Sequence, residues 1–176
     1  SSSSFFKATC LSCYAVVIAT AGSDVKCEFC LEQGADKAIN YRTEDWPKIA
    51  FDYTGGNGID VALDMVTGDY VQKEINIMAR DGRIALIAFL GGPKAEINFG
   101  RVLRDRITIS GSTLRPQTNN EKALITTKFS EDFNDLMNEG IVKPHIFKVF
   151  DLENASEAHE LMESSQHMGK IILKVV

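Results

Sequence analysis

Two groups of residues in this chain have the types and spacing that chemistry requires. The first is Cys10-Leu-Ser-Cys13 with Cys27-Glu-Phe-Cys30, a C-x2-C-x13-C-x2-C arrangement whose thiolates could close a tetrahedron around zinc. The second follows the apolar runs: Ala21-Gly22-Ser23-Asp24-Val25-Lys26, Tyr41-Arg42, Met65-Val66-Thr67-Gly68, Leu90-Gly91-Gly92 and Ser112-Thr113-Leu114-Arg115. Ligands of open parallel sheets sit beyond the carboxyl ends of the strands, and small residues, hydroxyls and cations there suit a phosphorylated one. Against zinc, Cys27 and Cys30 fall on an expected helix, where a spacing of three puts both thiols on one face in the core. The glycines of a zinc knuckle are missing after each pair, so buried free thiols are the expectation and no metal ligand is assigned. His145, His159 and His167 form no H-E-x-x-H pair, and no G-x-S-x-G elbow supports a serine hydrolase. Glu44-Asp45 and Glu131-Asp132 read as solvated helix faces. No acid, base or nucleophile is assigned a catalytic role.

The elements that must position these residues follow a regular beat. Apolar, β-branched runs at Ala15–Thr20, Ala38–Asn40, Ile59–Asp64, Arg83–Phe89 and Ile107–Ser110 recur about every 20 to 24 residues. Helix-favouring stretches at Asp24–Gln33, Thr43–Phe51, Asp69–Ala79 and Phe99–Arg104 lie between them. Alternating strands and helices predict an α/β fold with a parallel sheet, and continuous apolar strands predict cover on both faces. Ser23 and Asp24 supply an N-cap, with Asp24 expected to cap the helix, while Gly34 sits at its C-terminal stop. Gly55-Gly56-Asn57-Gly58 and Asp81-Gly82 punctuate the chain before two strands, and Pro47 falls in a first helical turn, where its missing N–H is harmless. Beyond Gly111 the pattern changes. Thr118–Glu139 predicts one long helix, or two broken near Phe129-Ser130, stopped by Gly140. A strand at His145–Phe150, a helix at Asn154–Glu163 and a strand at Lys170–Val176 follow, as a second sheet.

Composition limits the function classes. In 176 residues, 44% are hydrophobic and 24% charged with four prolines, which excludes wholesale disorder. The net charge of −5 disfavours nucleic acid, which needs a basic face. The longest apolar run, Ile84–Leu90, is far short of the about 20 residues of a membrane helix. Ser1 to Ser4 with Phe5-Phe6-Lys7 do not read as a secretory leader, and four cysteines are too sparse for a disulfide scaffold, so a cytoplasmic setting is expected.

Several segments carry a family resemblance. Thr20-Ala-Gly-Ser-Asp24, Gly34-Ala-Asp36, Ile39-Asn-Tyr-Arg-Thr-Glu-Asp45, Gly55–Leu63, Asp81-Gly-Arg83, Gly111-Ser-Thr-Leu-Arg-Pro116 and Glu157-Ala-His159 with Met168-Gly-Lys-Ile171 closely resemble zinc-independent quinone oxidoreductases of the medium-chain dehydrogenase/reductase superfamily. The resemblance implies a Rossmann-type doubly wound parallel sheet, with a C-terminal segment of the GroES-like catalytic domain. On this view residues 1–14 are an irregular N-terminal segment, 15–140 the nucleotide-binding domain and 141–176 the return to the catalytic domain. It implies NADPH as cofactor and hydride transfer to a small quinone or enone, with no nucleic-acid or membrane partner and a homodimer as an open alternative. Gly22, Ser23, Lys26 and Tyr41 would meet the adenosine ribose and its 2′-phosphate, with Arg42 beside them. Phe89, Leu90 and Val66 would line the nicotinamide, and Arg115 would lie on a loop facing the cofactor cleft. Hydroxyls and cations suit a 2′-phosphate, whereas NADH sites place an acid on the ribose diol.

The sequence also departs from the family. No G-x-G-x-x-G occurs, although the family uses a glycine-rich turn to approach the pyrophosphate, and Phe5–Tyr14 does not match the first Rossmann helix. The N-terminal catalytic domain is not in the sequence, so the chain reads as the back half of an enzyme, expected to self-associate or to be poorly stable alone. Two other readings stay open: a non-catalytic nucleotide-binding or association module, and a zinc-stabilised interaction domain.

Overall fold

A computed structural model describes residues 15–175. Contacts divide the chain into two compact units: residues up to Arg42 together with those from Thr126 onward form one, and Thr43–Ile125 form the other. The second division falls inside a helix.

In the first unit, β1 (Ile18–Ala21) pairs in parallel with β2 (Lys37–Asn40), with Ile18 opposite Lys37 and Ala21 opposite Asn40. Between them runs α1 (Asp24–Glu32). Its N-cap is Ser23, not Asp24: the Ser23 hydroxyl accepts from the Lys26 amide at 3.4 Å. Asp24 instead accepts from Asn40 Nδ2 at 2.7 Å. The helix stops as its glycine requires. Gly34 takes φ 97°, its N–H donates to Leu31 and that of Ala35 to Cys30, the paired bonds of a Schellman motif. Later in the same unit, β6 (Ile146–Asp151) and β7 (Lys170–Lys174) form a separate parallel pair, joined by the short 3-10 turn Leu152–Asn154 and α6 (Ala155–Glu163). This is the second sheet that the sequence predicts. The Phe29 ring on α1 meets the His145 ring edge-on, 4.7 Å between centroids.

The second unit holds the best-packed core. Here α2 (Trp46–Tyr53) leads to β3 (Ile59–Asp64), α3 (Asp69–Ile77), β4 (Met78–Leu86), α4 (Gly100–Arg104) and β5 (Thr108–Gly111). The three strands form one parallel sheet in the order β3-β4-β5. Val71 and Ile75, one turn apart on α3, pack with Met78, Ile84 and Ile107, all buried. Each fully buried side chain of this size contributes about 1.5–3 kcal/mol, which makes this cluster the anchor of the sheet. The start of β4 differs from the sequence expectation. The strand begins at Met78 directly after α3, and Asp81-Gly82 lie inside it, where the register with β3 shifts between Ile59 and Val61. Asp81 takes φ 63° there, and its amide donates to the Asp105 carbonyl. The dipeptide that reads as a turn therefore makes a bulge.

The long helix α5 (Asn119–Asn138) is continuous through Phe129-Ser130 and ends in another Schellman motif at Gly140. Among the described residues the strands pair in four parallel ladders that form three separate sheets, and no helix is long and apolar enough to cross a membrane.

Candidate functional site

The first unit contains an open cleft of about 510 Å³ at the carboxyl ends of β1 and β2. Gly22, Ser23, Val25, Lys26, Tyr41 and Arg42 line one side; Ser164, Ser165, Gln166 and Met168 line the other. The register that sets Ala21 opposite Asn40 brings the two post-strand loops together, and the Tyr41 amide donates to the Ala21 carbonyl at 3.0 Å. The Tyr41 and Arg42 side chains close over Gly22. A Cβ on it would lie 2.7 Å from Tyr41 Oη and 3.3 Å from Arg42 Nε.

Of the two cations in the cleft, the Lys26 ammonium is held in place. Lys26 Nζ donates to the Ser165 carbonyl at 2.6 Å. An ammonium carries three donors, so this bond orients the group while leaving capacity for an anion. The Arg42 amide donates to Asn40 Oδ1 at 3.1 Å, fixing the start of its loop. Ser165 has φ 56°, the left-handed backbone region that an L-residue seldom takes. The Ser164–Met168 side was not legible from strand-end reasoning, because it comes from the loop between α6 and β7. Only the quoted Met168-Gly-Lys-Ile171 match falls near it.

In the second unit the predicted nicotinamide residues stand on two adjacent loops. β4 ends at Leu86, so Phe89 and Leu90 lie beyond its carboxyl end and not within the strand, 67% and 80% exposed. Val66 follows β3, and its carbonyl accepts from the Gly91 amide at 2.6 Å, while Met65 accepts from Leu90 at 3.1 Å. The structure thus brings Val66, Phe89 and Leu90 together. Arg115 stands apart, exposed on the turn between β5 and α5, where its carbonyl accepts from Lys122 Nζ at 3.2 Å.

The cysteines take different surroundings from those expected. Cys27 and Cys30 are only half-buried, on a helix α1 that has no buried residue. Burial pushes the Cys30 thiol above its usual range. Cys10, Cys13 and Phe5–Tyr14 lie outside the described residues. Among the described residues no group of three His, Cys, Asp or Glu side chains could hold a metal ion.

The first-unit cleft fits an adenosine phosphate in the groups that line it: hydroxyls, an ammonium, a guanidinium and an aromatic ring. Its size falls in the range of small-molecule sites, about 300–1,000 Å³.

Comparison with known proteins agrees with this architecture. A family described as zinc-binding dehydrogenase matches residues 33–173. The quinone oxidoreductase-like protein 2 of Bos taurus is 29% identical over 161 residues, 92% of this chain and 46% of that protein. A crystal structure of an NAD-dependent alcohol dehydrogenase aligns with TM-score 0.70 at 33% identity, over 92% of this chain and 44% of that one. An Escherichia coli quinone oxidoreductase complexed with NADPH shares the fold, with TM-score 0.77 at 24% identity over 94% and 52% of the two chains. The chain spans about half the length of the curated relatives it matches.

Proposed function

The chain belongs to the zinc-binding dehydrogenase family, within the medium-chain dehydrogenases/reductases, and from that premise we propose that it binds NADPH as the cofactor half of a quinone oxidoreductase. The observation that carries the reading is the cleft that gathers Ser23, Lys26, Tyr41 and Arg42 around Gly22. Lys26 and Arg42 attract the 2′-phosphate, the Ser23 hydroxyl donates to it, and the Tyr41 ring flanks the adenosine. Asp24, the acid that could favour a ribose diol and hence NADH, is engaged by Asn40 instead. Val66, Phe89 and Leu90 form an apolar surface that keeps water from one face of the nicotinamide. A nicotinamide held there supplies a hydride to a quinone or enone beside it. The chain's own share is to bind, orient and exclude water. A cytoplasmic location, the division at residue 140 and a role for Arg115 belong to the same proposal.

Lys26→Ala tests it. Losing one charge-assisted phosphate bond should weaken NADPH roughly tenfold or more and leave NADH nearly unchanged. An equal loss for both nucleotides, read by titration of the 176-residue chain, would contradict the phosphate assignment.

A further inference from the structure

The loops after β3 and β4 are joined by more bonds than loop closure alone needs. Asp64, 2% exposed, accepts from the Val66 amide at 2.6 Å and from the Thr67 amide at 3.0 Å through each carboxyl oxygen. Those bonds hold Thr67 at φ 57°, which is rare for a β-branched residue. In that conformation the Thr67 hydroxyl reaches the Gly92 carbonyl at 2.6 Å, across to the other loop, as well as its own neighbour Val66. The backbone bonds Leu90 to Met65 and Gly91 to Val66 complete the crossing. Two glycines permit it: a Cβ on Gly68 would meet the Gly91 carbonyl oxygen at 2.7 Å, and one on Gly91 would meet the Val66 oxygen at 3.0 Å.

We propose that Asp64 and Thr67 are positioning residues for the nicotinamide end of the cofactor, acting as a latch that fixes the Val66 loop and the Phe89-Leu90 loop as one rigid platform. The inference rests on the cofactor reading above and deepens it. A buried acid and a left-handed threonine are costly features, kept where the surrounding bonds over-determine them. Both bond to the loops that carry Val66 and the exposed Phe89 and Leu90, the side chains that would face the ring, where orientation matters most.

The neighbouring Glu74 is consistent with this. It lies on α3, 8% exposed, with Oε2 unpartnered, and Asp64 is the charged group that acts on it. On α4 the Arg101 side chain is engaged with Asp105 and the Met78 carbonyl. Burial first, and Asp64 second, push Glu74 up to about 8, so it stays neutral near pH 7 and the latch acid has no charged twin.

The test compares wild type, Thr67→Val and Thr67→Ser, titrating each with NADPH, read by nicotinamide emission, and with adenosine 2′,5′-bisphosphate, which carries the adenosine end alone. Removing the cross-loop donor should weaken NADPH roughly tenfold and alter the bound emission, with bisphosphate affinity unchanged; Ser should restore both. Wild-type emission and affinity in Thr67→Val, equal weakening of both ligands, or a Ser variant as poor as Val would each overturn the latch while the cofactor reading stands. If wild type binds neither nucleotide, the cofactor reading fails and the latch falls with it. Should Thr67→Val not fold, wild-type amide exchange decides: Leu90 and Gly91 as slow as the β3 and β4 amides supports the latch, and loop-like exchange overturns it.

Discussion

At Glu74 a carboxyl is buried without a partner for Oε2, and its proton is the means by which the fold tolerates it. Its value rises from 4.5 to about 8 in the folded chain, so the native state holds this proton while the unfolded chain has released it. Stability from this group is therefore complete below about pH 4.5, declines as pH rises towards about 8 and is flat beyond. Glu74→Gln, which cannot ionise, should flatten that decline and exceed wild type at pH 9 by roughly 2–4 kcal/mol, measured by urea unfolding across pH. Parallel pH profiles would contradict it. Glu74 was not legible in the sequence: it sits in an α3 stretch that shows ordinary helical periodicity, and only packing shows that it faces inward. Lys26 and Tyr41 were legible because a strand end places its following residues with little freedom. The Ser164–Met168 wall of the cleft was not, since it arrives from more than a hundred residues away in the chain.

The elements show how far local chemistry dictates structure. Gly34, Gly55 and Gly140 each close a helix with the same pair of backward bonds, and all three were readable as stops. Asp81-Gly82 was not readable, because a bulge and a turn recruit the same residues; the β3 register decides between them. The glycines also differ in what they do. Gly58, at φ 87°, would place a Cβ 2.7 Å from the Ala79 backbone nitrogen, whereas Gly140, at φ 72°, has nothing within 4 Å. Gly140→Ala should cost only the left-handed penalty, about 1–2 kcal/mol. Gly58→Ala must also displace strand backbone and should cost more, roughly 3 kcal/mol or above. Equal urea midpoints for the two variants would contradict this ordering.

At the scale of the whole molecule, the α/β class and the parallel strands followed from the alternation of apolar runs and helical stretches, and the family from clustered motif matches. Where one main sheet and a second in the tail were expected, the described strands lie in three parallel sheets, β1-β2, β3-β4-β5 and β6-β7, a point that periodicity cannot address because it reports strands and not their partners. Large apolar side chains stand in solvent, including Leu103 at 83% and Leu124 at 71%. Such exposure is a recognised source of association. The central claim concerns the cofactor, and calorimetric titration of the 176-residue chain with NADPH and then NADH tests it most directly. If Lys26 and Arg42 take the 2′-phosphate, NADPH should bind in the micromolar range, at least about tenfold tighter than NADH. Equal affinities, or heat from neither nucleotide, would contradict it.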